Sequence, residues 1–246
     1  MCFDLDSVPP IAPIEGGAVD HRNLELESDD GNRFAAFAAL PEESDVGVVI
    51  IPDVRGLYRF YEELALRFAE RDIAAVVIDF YGRTAGVGKR GDDFDYPAHR
   101  TRTTPEGVQA DVRAGVEWLR DQRIGSIFTV GFCFGGRHSW LAAAGGHGLK
   151  GAVGFYGMPG GDSPSAIDRA GVMEAPILAL QGGADQHITA EINAEFDEAL
   201  TEAGIEHEVV IYPGAPHSFF DRKQEEFAAD SEDAWNRTLA FIERYR

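Results

Sequence analysis

The chain has 246 residues, 44% of them hydrophobic, and its 42 acidic against 22 basic side chains give a formal net charge of -20. That length and apolar content fit one folded domain over residues 1–246 rather than a disordered or collagen-like chain. The negative charge repels nucleic-acid phosphates and anionic membrane surfaces, so neither is an expected partner.

The acidic, Pro-containing start from Met1 to Val19 lacks the basic and apolar regions of a signal peptide, and no stretch offers the roughly 18 apolar residues of a membrane span. A cytoplasmic protein is expected. Asn23–Glu27 and Phe34–Leu40 read as short strands around the turn-forming Asp29-Asp30-Gly31-Asn32, an opening antiparallel hairpin. Val46–Ile51, the amphipathic Tyr61–Arg71 and the apolar Ile73–Ile78 make a βαβ unit. Gly82–Thr104, rich in Gly, Arg and Asp, reads as a long irregular stretch suited to a lid or pocket rim. Within it, Gly86-Val87-Gly88-Lys89-Arg90 is no phosphate loop, because Arg83 and Arg90 stand where the first Gly and the Ser or Thr are required.

Val108, Val112, Val116 and Leu119 then recur at helical spacing, Ile127–Val130 is a buried strand and Arg137–Ala144 a helix. Gly151–Tyr156, Ile177–Gln181 and His207–Tyr212 are strands, with Ala190–Ala203 helical before the last of them. A final helix carries Trp235, Leu239 and Ile242 on one face. Such alternation predicts an α/β fold: a mostly parallel central sheet behind the N-terminal hairpin, helices on both faces, and a site at the strands' carboxyl ends.

Gly131-Phe132-Cys133-Phe134-Gly135-Gly136 lies between a strand and a helix. It reads as a nucleophile elbow with Cys in place of Ser, and its glycines make room where side chains would strike the neighbouring strand or helix. The turn presents the sulfur at a helix N-terminus, where the dipole and free N–H groups favour a thiolate. Cys2 sits in the loose start of the chain, so Cys133 is expected to be a free thiol rather than half of a disulfide.

An acid and a histidine should follow in that order. Gly182-Gly183-Ala184-Asp185 ends one strand with a carboxylate, and Pro213-Gly214-Ala215-Pro216-His217 follows the next. Alone, an Asp before a helix is commonly a cap. His138, His147, His187 and His207 read as surface, helix or strand positions without a role. The three together, each at a strand end, predict Cys133 as nucleophile, His217 as base and Asp185 as the residue that holds its tautomer. The N–H groups of Phe134 and Val54, the latter in the loop after Ile51, are the candidate oxyanion donors.

With these pieces the chain resembles the dienelactone hydrolases over nearly its whole length. Besides the elbow, the matching segments are Asp79-Phe80-Tyr81-Gly82-Arg83, Gly182-Gly183-Ala184-Asp185 and Gly214-Ala215-Pro216-His217-Ser218-Phe219. The resemblance implies a compact α/β-hydrolase fold and a small ester or lactone substrate, with or without a carboxylate, cleaved without metal or organic cofactor. It implies a monomer or small homo-oligomer. In that family the loop matching Asp53-Val54-Arg55-Gly56 carries an acid, usually Glu, that meets the resting thiol, and arginines bind the substrate carboxylate. Asp53 and Arg83 match two of those positions. The family's second Arg, four residues after the histidine, is Asp221 here, with Arg222 one step on. The alternatives are a carboxylesterase or thioesterase acting on a neutral substrate, and a hydrolase-fold binding protein without turnover.

Overall fold

The computed structural model describes residues 4–14, 19–221 and 226–246. The chain forms two compact units, Ile11–Ile127 and Met1–Pro10 with Phe128–Arg246.

In the first unit, β1 (Val19–Glu27) and β2 (Arg33–Pro41) pair antiparallel from Val19 opposite Pro41 to Glu27 opposite Arg33. Gly31 makes their turn possible, with φ +82° in the left-handed region that a Cβ disfavours. β3 (Val46–Ile51) and β4 (Ala74–Ile78) pair in parallel, and β2 runs antiparallel along the other edge of β4. The hairpin is thus grafted onto the βαβ unit at its second strand. Both β3 and β4 are buried along their whole length, which explains their unbroken apolar runs.

Helix α1 (Arg59–Ala69) turns Phe60, Tyr61, Leu64, Ala65 and Phe68 inward, a stripe at the three- and four-residue spacing of a helix face. The stretch expected to be irregular holds two single-turn helices, α2 (Gly82–Ala85) and α3 (Tyr96–Arg100). Helix α4 (Pro105–Asp121) starts where Thr104 Oγ1 accepts from Gly107 N at 3.1 Å and Pro105 has no N–H to leave without an acceptor. Val108, Val112, Val116 and Leu119 are its buried stripe, and Asp111 is buried among them.

In the second unit β5 (Ser126–Phe132), β6 (Gly151–Phe155), β7 (Ile177–Gly182) and β8 (His207–Tyr212) run parallel in that order. Two glycines let helices close on β6 from both sides: a Cβ on Gly154 would lie 2.4 Å from the Trp140 ring of α5 (Phe134–Ala143). On Gly151 it would lie 2.5 Å from the Phe241 ring of the last helix. Helix α5 begins three residues before the expected Arg137, because the elbow itself supplies its first turn. The short α6 (Ala166–Arg169) was not anticipated; α7 (Ala190–Glu202) was. In α8 (Ala228–Tyr245) Trp235 and Ile242 are buried as expected, whereas Leu239 is only half-buried beside Thr238 and Phe241. Among the described residues no helix is long and apolar enough to cross a membrane.

Candidate active site

Cys133 stands between β5 and α5 with φ +53° and ψ -112°, a conformation an L-residue adopts only under constraint. The constraint is visible. Its N–H donates to Phe155 O at 2.9 Å, and a Cβ on Gly131 would sit 2.0 Å from Gly135 O. A Cβ on Gly136 would lie 2.7 Å from Phe155 O, so the start of α5 rides against the end of β6 with no room for a side chain. Cys133 is partly exposed and takes part in no disulfide.

The acid and the histidine are set by two interlaced loops. Gly183 N donates to Tyr212 O at 2.7 Å and Ala184 N to Ala215 O at 3.0 Å, tying the end of β7 to the loop after β8. The approach needs both glycines, since a Cβ on Gly182 would meet Ala215 O at 2.5 Å and one on Gly183 would meet Pro213 Cα at 2.7 Å. As a result Asp185 Oδ2 lies 2.6 Å from His217 Nδ1. Asp185 Oδ1 accepts from the N–H groups of His187 at 2.8 Å and Ile188 at 3.2 Å. Burial works to raise the Asp185 pKa, but the bonds from His217 and these two amides outweigh it and hold the carboxyl below its ordinary range. The side chain is fully buried, and that of His217 is 17% exposed.

One residue that sequence reasoning missed joins these parts. Tyr156 follows β6 with φ +37°, and its ring packs 5.2 Å from that of His217. The elbow is bonded to Phe155, the preceding residue, so the Cys133 backbone and the His217 ring flank the same strand end. A Tyr-Gly pair ending an apolar strand was the only available signal.

Asp53, Val54 and Arg83 lie in the first unit, where they have partners of their own, while Phe134 opens α5 in the second. Both Asp53 oxygens accept from Arg55 Nε at 3.1 Å, Arg55 Nη2 adds a bond to Oδ2 at 2.8 Å, and the two side chains are 4% and 3% exposed. Arg55 lies over the Tyr58 ring at 4.9 Å. Val54 belongs to the same tightly held turn: its carbonyl accepts from Tyr81 Oη at 2.8 Å, and Asp53 N donates to Tyr61 Oη at 3.1 Å. Leu57 N donates to Asp79 Oδ1 at 3.2 Å, while Arg90 Nη2 bonds Asp79 Oδ2 at 2.5 Å. Arg83 pairs with Asp30 and, at 2.8 Å, with Asp111, which also accepts from Ser28 Oγ and Asn32 Nδ2. Burial dominates at Asp111 and raises its pKa in spite of those three donors. An acid on the apolar stripe of α4 was the clue to this cluster. Asp221 is buried, and Arg222 lies outside the described residues. A cavity of about 320 Å³ between β7, β8 and α7 is lined by Gly182, Ile188, Asn193 and Val209 and by none of Cys133, Asp185 and His217.

Comparisons with known proteins identify the family. The model of the dienelactone hydrolase family matches residues 34–246. A protein of Escherichia coli named "Putative carboxymethylenebutenolidase" is 31% identical over 230 residues, spanning 87% of this chain and 84% of its own. The carboxymethylenebutenolidase of Rhodococcus opacus is 26% identical over 100% of this chain and 97% of its own. A crystal structure titled as a dienelactone hydrolase, putative by that title, from Klebsiella pneumoniae superposes with a TM-score of 0.81 at 27% identity, covering 93% of this chain and all of that one. The fold is that of the α/β-hydrolases, a mostly parallel sheet preceded by an antiparallel hairpin. With its family model matched from the second strand to the last residue, the chain belongs to the dienelactone hydrolase family.

Proposed function

We propose that the protein hydrolyses a small ester or lactone through a thioacyl intermediate on Cys133. His217 Nε2 takes the thiol proton, and the sulfur attacks the scissile carbonyl carbon. The N–H of Phe134, at the start of α5, receives the oxyanion. Its collapse breaks the carbon–oxygen bond, and His217 returns the proton to the leaving oxygen, which stays tethered if the substrate is a lactone. Water, deprotonated by His217, then attacks the thioester and releases the acid and the free thiol. Asp185 fixes the imidazole with its proton on Nδ1 and stabilises the imidazolium in both halves.

The observation that supports this reading is the 2.6 Å contact between Asp185 and His217, with the His217 ring on Tyr156 and a cysteine at positive φ bonded to Phe155, the residue before it. Backbone strain of this kind concentrates at sites that use it, which favours a working cysteine at this position. The carboxymethylenebutenolidase names of the relatives support the bond type. Replacing Cys133 by Ala should abolish turnover of an activated ester while the wild type, quenched during turnover, shows the acyl mass on the Cys133 peptide. Near-wild-type activity in Cys133→Ala would exclude the mechanism.

A further inference from the structure

Helix α7 contributes Ala190, Asn193, Ala194 and Asp197 to the cavity of about 320 Å³ beside β7 and β8, and their spacing of three and four residues puts them on one helix face. The volume is that of a small-molecule site. The two alanines leave the space open. Val209 and Ile211, two residues apart and so on one face of β8, form an apolar wall on the strand side.

Asn193 is only 5% exposed, and a chain of bonds sets the direction of its amide. Gly157 O can only accept, so Gln181 has to present Nε2 to it, at 2.9 Å, and the second hydrogen of that NH₂ goes to Asn193 Oδ1, also at 2.9 Å. Asn193 Nδ2 is then left as a donor on the cavity wall, and among the described residues no acceptor meets it. A donor left over in so buried a residue points to a ligand that supplies the acceptor. One helical turn on, Asp197 offers the opposite character: its Oδ1 lies 3.2 Å from His207 Nε2, and its Oδ2 has no partner among the described residues. Side chains four residues apart on a helix start about 6 Å from each other. A carboxamide fits such a pair, accepting through its oxygen and donating through its nitrogen, whereas a carboxylate meets the like charge of Asp197.

We propose that this cavity is a second binding site, apart from Cys133, Asp185 and His217, for a small neutral molecule that carries a primary carboxamide on an apolar body. The carbonyl oxygen accepts from Asn193 Nδ2, the NH₂ donates to Asp197, and the body packs on Val209 and Ile211. The bound molecule also lies against the loop of the acid, because Ile188 lines the cavity while its N–H donates to Asp185 Oδ1 at 3.2 Å. Binding does not depend on thioacyl chemistry at Cys133, so the two readings fail separately.

Benzamide and benzoate, alike in shape and different in charge, test the site by calorimetric titration of the full chain. Benzamide should bind with a Kd on the order of 1 mM, the range open to so small a ligand. Benzoate should bind on the order of tenfold more weakly, the scale of one hydrogen bond lost to a charged group. The backbone amide signals of Gly183, Ile188 and Ala194 should move with benzamide in ¹H–¹⁵N spectra. Asp197→Asn, at a side chain 56% exposed, replaces the repelling carboxylate by an amide that can donate, and should bring benzoate level with benzamide or ahead of it. Ala194→Phe should fill the cavity and abolish benzamide binding. The proposal is overturned by equal binding of the two ligands to the wild type, by an unchanged ratio in Asp197→Asn, by no binding of benzamide near its solubility limit, or by full binding in a folded Ala194→Phe. If Ala194→Phe does not fold, the ratio in Asp197→Asn decides alone.

Discussion

Replacing Asp185 by Asn separates geometry from charge, and the structure dictates how the amide must sit. Asp185 Oδ1 accepts two backbone N–H groups, from His187 and Ile188. The amide oxygen has to take that place, since an NH₂ there would face two donors. The NH₂ is then left 2.6 Å from His217 Nδ1, where only an unprotonated nitrogen can receive it. The imidazole is forced to carry its proton on Nε2 and cannot accept one from sulfur. The wrong tautomer should reduce kcat on an activated ester on the order of 10³- to 10⁴-fold, about 4 to 5.5 kcal/mol in barrier. The assay is steady-state turnover from pH 6 to 9, with urea unfolding in parallel. A carboxyl whose pKa is depressed by folding stabilises above its unfolded pKa, and that contribution fades as pH falls through the folded value. The gap in stability between wild type and Asp185→Asn should therefore close in acid. Turnover within tenfold of wild type at pH 7 would refute the tautomer argument and the role of Asp185 with it.

Two further outcomes bear on the scaffold. Gly131→Ala should destabilise by about 3 kcal/mol or more, because its Cβ would meet backbone atoms of Gly135 and Gly136 that have no rotamer to escape into; urea midpoints check this, and a shift under 1 kcal/mol would contradict the contact. Arg83→Met should cost about 2 to 3 kcal/mol at pH 7 by leaving Asp111 buried with only Ser28 and Asn32. Asp111 has a raised pKa, so this deficit should be small below that raised folded value, where the acid is protonated, and grow as pH rises through it, which thermal melts at pH 4.5 and 8 would detect.

The strand ends that carry Cys133, Asp185 and His217 were legible because each follows an apolar run and a glycine-bearing turn, signals that are local in sequence. What the loops do to one another was not. The need for Gly182 and Gly183 comes from Ala215 and Pro213, some thirty residues away, and no periodicity encodes it. The same holds for β2, whose neighbour is β4 rather than the nearer β3. Arg83 shows the limit of matching a motif. Its identity and place agree with a family position, while its chemistry is set by Asp30 and Asp111, residues of a turn and a helix outside the motif. His147, read as a position without a role, is buried beneath Gly145, a packing fact invisible from the chain.

The three residues of the proposed triad, with the tyrosine that touches the histidine, come from the stretch between residues 128 and 246. They hang on the ends of β5, β7 and β8 with β6 between, so one cooperative unit sets them all and a substitution that melts it should cost all three at once.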